Sequence, residues 1–170
     1  MSNNKQPFKA EPLSCSPKQK EVINVLKNLR KLYNATKCEE TKKHIKVLIR
    51  TTLYFASERR EADYISQEAK KLWDEKAKGS DLHKLTVPKQ RANKKKNAFL
   101  KGIILEHCNP LSTLIEEIIT GKSIETILKK ELKTAWITTE ENSRLNKEYK
   151  SKRPNGWEWC YKQRGIKLKH

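Results

Sequence analysis

Two pairs of side chains in this sequence have the types and spacing to work on a phosphate ester. Glu106 and His107 end the apolar run in LKGIILEHCNPL, Leu100 to Leu111, with Pro110 just beyond them. Asn142 and Asn146 lie four apart in AWITTEENSRLN, Ala135 to Asn146, and so share a face of any helix formed there. A histidine can take a proton near neutral pH and so activate water. Carboxylate and amide oxygens suit a hard cation, Mg²⁺ above all and Mn²⁺ as the alternative. A base plus a cation that offsets charge on the phosphate and the departing 3′-oxygen is what phosphodiester hydrolysis needs.

The elements that would position these groups are legible nearby. Phe99 to Leu105 reads as a strand, with β-branched Ile103 and Ile104 inside it and Asn109 and Pro110 to stop it. Thr134 to Thr138 reads as a second strand. Two helical segments, Leu111 to Ile119 and Ser123 to Leu132, connect them across Gly121. Thr138 and Glu141 have the spacing of a Thr-x-x-Glu capping box, which predicts a helix opening near Thr139 and running through Tyr149.

Strand, connection, strand and helix is the layout of a ββα-metal finger, and in these residues the chain resembles the HNH endonuclease superfamily. In that family the first strand ends in an Asp, Glu or His beside a His, commonly followed by an apolar residue and a Pro, much as Glu106, His107 and Pro110 stand here. The family's helix often opens Thr-Pro-x-x-His-x-x-x-His. Here Thr138 to Asn146 is similar in register, with Asn142 and Asn146 replacing the two histidines. The resemblance implies that His107 is the general base, that Glu106 and Asn142 hold the metal, and that Asn146 is a further ligand or positions substrate. It also implies Mg²⁺, or Mn²⁺, as cofactor. The family usually carries its middle Asn on a loop between the strands; here the connection is long and helical, Asn109 lies close to His107 for that role, and the middle Asn is left unassigned.

Charge points to the same class of partner. Lys and Arg number 38 against 20 Asp and Glu, a formal net charge of +18 with pI near 9.8. Such a surface seeks polyanions, and nucleic acid leads because neutralising phosphates releases counterions whatever the base sequence. An anionic membrane surface would want one basic amphipathic helix, and the basic residues here are spread. The run Asp81 to Lys101 carries Lys84, Lys89, Arg91, Lys94, Lys95, Lys96 and Lys101 against a single acid, and suits an arm that tracks a phosphate backbone. Arg144 on the capped helix extends the same cationic set. In the tail, Arg153 and Arg164 are placed at phosphates, with Trp157 and Tyr161, four apart, as a lid on the finger.

The remaining chain reads as scaffold. Residues 1–15 form a flexible lead-in and 16–80 a helical hairpin or bundle. Residues 81–98 form the basic arm, 99–150 the finger-like catalytic region and 151–170 a basic aromatic tail. Pro17 suits a first helical position, ahead of Val22, Val25, Leu26, Leu29, Leu32 and Tyr33 at helical spacing. A second helix carries Ile45, Leu48, Ile49 and Ala56, and a third pattern carries Ala62, Ile65, Ala69, Leu72 and Trp73 up to Gly79. Cys15, Cys38, Cys108 and Cys160 are far apart, which indicates neither a zinc knuckle nor a disulfide framework. The polar N-terminus and the lack of a spanning run imply a cytoplasmic protein with no membrane partner. The fold class expected is α+β, predominantly helical. The expected function is a metal-dependent endonuclease acting on DNA, with RNA as the other substrate, in restriction or mobile-element biology, and a homodimer if both strands are cut. The alternative is a non-catalytic basic nucleic-acid-binding protein, either an RNA-binding or a nucleoprotein factor.

Overall fold

Two amphipathic helices with polar connections cannot bury their apolar stripes alone, and the chain supplies their floor from a distant segment. In the computed structural model, which describes residues 17–58, 61–76, 81–85 and 100–170, α1 (Pro17–Ala35) and α2 (Glu39–Glu58) form an N-terminal hairpin. Glu39 and Glu40 occupy the first turn of α2, where the helix dipole favours negative charge. Ile23 and Leu26 of α1 and Ile45, Ile49 and Leu53 of α2 are buried against α4 (Leu111–Ile119) and α5 (Ile124–Thr126), which continues into a π-helical turn, Ile127–Glu131. Each fully buried Leu or Ile contributes on the order of 2 kcal/mol. Lys27 meets Glu125 at 2.7 Å and Lys46 meets Glu116 at 2.6 Å, both exposed pairs that set orientation more than stability.

The second layer is a four-stranded sheet in the order β2-β3-β1-β4. β2 (Ile103–His107) runs antiparallel to β3 (Thr134–Thr138), β1 (Tyr64–Ser66) runs parallel to β3, and β4 (Leu168–Lys169) pairs antiparallel with β1. Every residue of β3 is buried, as a central strand covered on both faces requires. One face carries Ile103, Leu105, Ile65 and Trp136 and is covered by Ala69 and Trp73 of α3 (Gln67–Lys76). The other carries Ala135 and Ile137 and is covered by Leu145 of α6 (Thr139–Tyr149) and by Trp157, Cys160 and Tyr161 of α7 (Trp157–Gln163). The fold is therefore α+β and predominantly helical, with an N-terminal helical hairpin.

Two sequence expectations change. The pattern from Ala62 to Trp73 does not begin as a helix. Tyr64 and Ile65 instead pair with Ala135 and Trp136, and Asp63 ties this start to β3 by accepting from Thr134 N and Lys133 Nζ, each at 2.9 Å. The hairpin also does not form a unit with α3. It rests on helices that lie between β2 and β3 in sequence, so the two packing units interleave along the chain. The lead-in 1–15 and most of the basic arm lie outside the described residues.

β1 and β3 are parallel, so they end at the same edge of the sheet, and each passes directly into a helix. Ser66 Oγ accepts from Ala69 N at the start of α3, and Thr138 Oγ1 accepts from Glu141 N at the start of α6. Glu141 closes the expected capping box by accepting from Thr138 N at 2.8 Å, and it also accepts the Ser66 hydroxyl at 2.6 Å. One carboxylate, 1% exposed, thus joins two helix N-termini. Removing it would leave buried donors unpaired, so Glu141→Ala is expected to cost on the order of 3 kcal/mol in urea unfolding, while exposed Glu140→Ala stays within about 0.5 kcal/mol. Equal effects of the two substitutions would contradict this role.

Candidate functional site

Side chains alternate between faces along a strand, and on β2 this separates the two residues expected to act together. Ile103 and Leu105 face α3, and His107 follows them by parity. Ile104 and Glu106 face α6 and α7. Glu106 and His107 therefore diverge to opposite sides of the sheet.

His107 is engaged with the hairpin. Its Nε2 lies 2.7 Å from Ser57 Oγ, and its ring is 5.9 Å from that of Tyr54. The buried Ser57 hydroxyl donates its one hydrogen to the Tyr54 carbonyl at 2.7 Å. The Ser57 oxygen then accepts from His107, which places the ring proton on Nε2. This contact fastens the end of α2 to the end of β2.

Glu106 meets Arg153 at 3.5 Å. The Arg153 side chain is only 4% exposed, and its Nη1 donates to the carbonyls of Lys150 and Lys152, both at 2.8 Å. Arg153 thus holds the turn after α6 against a half-sunken carboxylate and is closed off from phosphate, contrary to the sequence expectation. Burial raises the Glu106 carboxyl above its ordinary value, and the Arg153 guanidinium pulls it partly back. Beneath α7, burial also pushes up the Cys108 thiol and the Tyr161 phenol, so this pocket of titratable groups favours neutral forms.

Asn142 and Asn146 do share a face of α6, and the Asn146 amide donates to Asn142 Oδ1 at 3.1 Å. With Glu106 paired to Arg153 and His107 on the far side of the sheet, the four side chains do not converge, and this donor set does not fit a Mg²⁺ or Mn²⁺ ion. Among the described residues no three His, Cys, Asp or Glu side chains cluster to hold one.

The remaining cationic residues fall into distinct settings. Arg144 is exposed, and it shares a recess with Lys71 and with Glu68, Glu75 and Glu140, whose carboxylates compete with a phosphate. Arg164 pairs with Glu148 at 3.6 Å and lies 5.4 Å over the Tyr149 ring. Lys89, Arg91, Lys94, Lys95 and Lys96 lie outside the described residues. Trp157 and Tyr161 are buried on the sheet, as their four-residue spacing predicts.

The same helix turns Trp159 outward. It is 39% exposed and meets Tyr149 edge-on at 6.1 Å. From Arg144 to His170 the chain carries nine Lys and Arg against Glu148 and Glu158, and Lys147, Lys150, Lys152 and Lys162 in this stretch are exposed. Lys150 holds its place at the end of α6 with φ +46°, a backbone conformation that costs a non-glycine residue on the order of 1–3 kcal/mol. The sequence signal for this surface was available in two helix periods: Trp159 lies opposite the Trp157/Tyr161 face of α7, and Tyr149 falls four residues beyond buried Leu145 on α6. The chain matches no protein family, no curated protein and no solved structure. No helix among the described residues is long and apolar enough to cross a membrane.

The raised Glu106 carboxyl sets a pH dependence. A carboxyl whose folded-state pKa lies above its unfolded value keeps its proton longer when folded, so its contribution favours folding at acid pH and declines as pH rises through the folded value. Glu106→Gln is expected to remove that decline from the stability–pH curve, read as the difference between variant and wild-type urea unfolding from about pH 4 to pH 7. A difference that grows in the opposite direction would show the Arg153 attraction to dominate.

Proposed function

We propose that the protein binds nucleic acid without cleaving it, gripping the phosphate backbone through the cationic surface of α6 and α7 and stacking bases on Trp159. The observation that carries this reading is the exposed Trp159, set on Tyr149 beneath Arg164 within a stretch dominated by exposed lysines. Lysines supply affinity independent of sequence, because each neutralised phosphate releases counterion. A tryptophan supplies a stacking platform available only to unpaired bases, so single-stranded DNA or RNA is the favoured partner. The basic residues between Lys89 and Lys96 would add to the same electrostatic attraction.

The endonuclease reading keeps one supporting observation. β2, β3 and α6 follow in strand, strand and helix order, with Glu106 on the face that α6 covers. Its proposed base, His107, is turned to Ser57, so cleavage would require that contact to open.

Fluorescence anisotropy with a labelled single strand separates the two readings. Affinity is expected to fall as salt rises, with a slope of about 0.7 per phosphate contacted. Trp159→Ala is expected to weaken binding about tenfold or more while the chain stays folded by circular dichroism, with a modest loss of stability from the Tyr149 contact. Lys150→Gly is expected to raise stability by relieving the positive φ while weakening binding. The strand should remain intact with Mg²⁺ or Mn²⁺ present. Salt-independent binding indifferent to Trp159→Ala would overturn the proposal. Cleavage that is lost in His107→Ala, with binding retained, would replace it by the endonuclease reading.

A further inference from the structure

The hairpin α1–α2 uses only part of its apolar surface. On α1, Lys27 and Arg30 reach Glu125 and the Lys122 carbonyl, and this marks the side that faces α5. Val25 and Leu32, one heptad apart, lie about half a turn away and are 46% and 58% exposed. On α2, Lys46 and Ser57 reach Glu116 and His107, and this marks the side that faces α4 and β2. Leu48 and Phe55, again one heptad apart, lie about half a turn away and are 52% and 49% exposed. Because the helices are antiparallel and adjacent, the four residues form one outward face. Thr52 lies between Leu48 and Phe55, and its hydroxyl donates to the Leu48 carbonyl at 2.9 Å.

We infer that this face is a self-association surface on which a second copy of the chain docks, hairpin against hairpin. Three physical arguments favour a second copy. Asn28, Thr51 and Thr52 lie between the exposed apolar side chains along each helix, and the charged groups on the same face include both signs, Lys18 and Glu21 on α1 beside His44 on α2. On a chain of net charge +18, a face with an apolar centre and charges of both signs at its rim is where two copies can approach without strong net repulsion, whereas an acidic partner would be drawn to the lysine-rich surfaces. The paired heptads on antiparallel helices suit a two-fold contact, in which Val25 and Leu32 of one copy meet Leu48 and Phe55 of the other. Helices of this length span about 30 Å, and two side by side span about 20 Å, so the face covers roughly 600 Å² per copy and a pair buries about 1,200 Å², the lower end of a stable interface.

The inference is independent of nucleic-acid binding, and the sign of its salt dependence distinguishes it. Sedimentation equilibrium of the full chain, freed of nucleic acid, is expected to show a species of twice 19.9 kDa whose association tightens from about 0.15 M to about 1 M salt, as like-charge repulsion is screened. Leu48→Glu and Phe55→Glu are each expected to weaken association by about 100-fold or more, with helix content unchanged by circular dichroism. Val47→Glu, at a position 58% exposed but turned away from α1, is expected to leave association intact. A monomer at every concentration, including one in which residues 1–16 shield the face, would overturn the inference. So would a dimer that survives Leu48→Glu and Phe55→Glu, or one that dissociates as salt rises.

Discussion

The carboxylate of Glu141 lies where two parallel strands turn into two helices. β1 and β3 end side by side, α3 leaves for one face of the sheet and α6 for the other, and both helix N-termini present unpaired N–H groups at that edge. Glu141 and its neighbours Ser66 and Thr138 satisfy them together. Once these helices are fixed, both faces of β3 are covered, and β2 can add only along the free edge of β3, in the register that buries Ile103 beside Trp136. The helical layer then docks through the end of α2, with Ser57 on His107.

That order of constraints decides what the ionisable residues do. A five-residue strand covered on both sides sends Glu106 and His107 apart, whatever chemistry their adjacency suggests. Each finds a structural partner on its own face: Arg153 under the α6–α7 turn and Ser57 at the hairpin. Lys147, Lys150, Lys152 and Lys162 of α6, α7 and the connecting turn are left to solvent, in the same stretch as Trp159. A surface rich in positive charge and carrying one exposed aromatic platform is suited to a polyanion whose bases can be reached. The outer face of the hairpin, with exposed Val25, Leu32, Leu48 and Phe55, belongs to a different part of the fold.

Local signals in the sequence translate directly into structure. The Thr138–Glu141 box, the strand Thr134–Thr138 and the break at Gly121 depend on neighbours in sequence, so residue types and spacing suffice to place them. Gly121 takes φ +106°, which a β-carbon would disfavour. β2, in contrast, is shifted from the expected Phe99–Leu105 to Ile103–His107, because residues 100–102 form a turn and the pairing with β3 carries the strand on through Glu106 and His107. What is not legible depends on distant pairing. β1 is three residues long and β4 two, too short for a period, and each exists only because β3 or β1 offers hydrogen bonds from far along the chain. Likewise the apolar stripe of α1 does not reveal that Ile23 is buried while Val25 and Leu32 stay outside, because that division is made by α5. The resemblance around Glu106, His107, Asn142 and Asn146 rests on order along the chain, and the strand's alternation is the part of the geometry that order leaves open.

The central claim is that nucleic acid meets the Trp159 surface and leaves the Glu106–His107 strand end untouched. Titrating a ¹⁵N-labelled sample with a short single-stranded oligonucleotide tests it residue by residue. The account predicts saturable shifts of the Trp159 indole N–H and of the Lys150 and Lys162 amides, with Glu106 and His107 amides stationary. Shifts centred on Glu106 and His107, with the Trp159 indole unmoved, would contradict it.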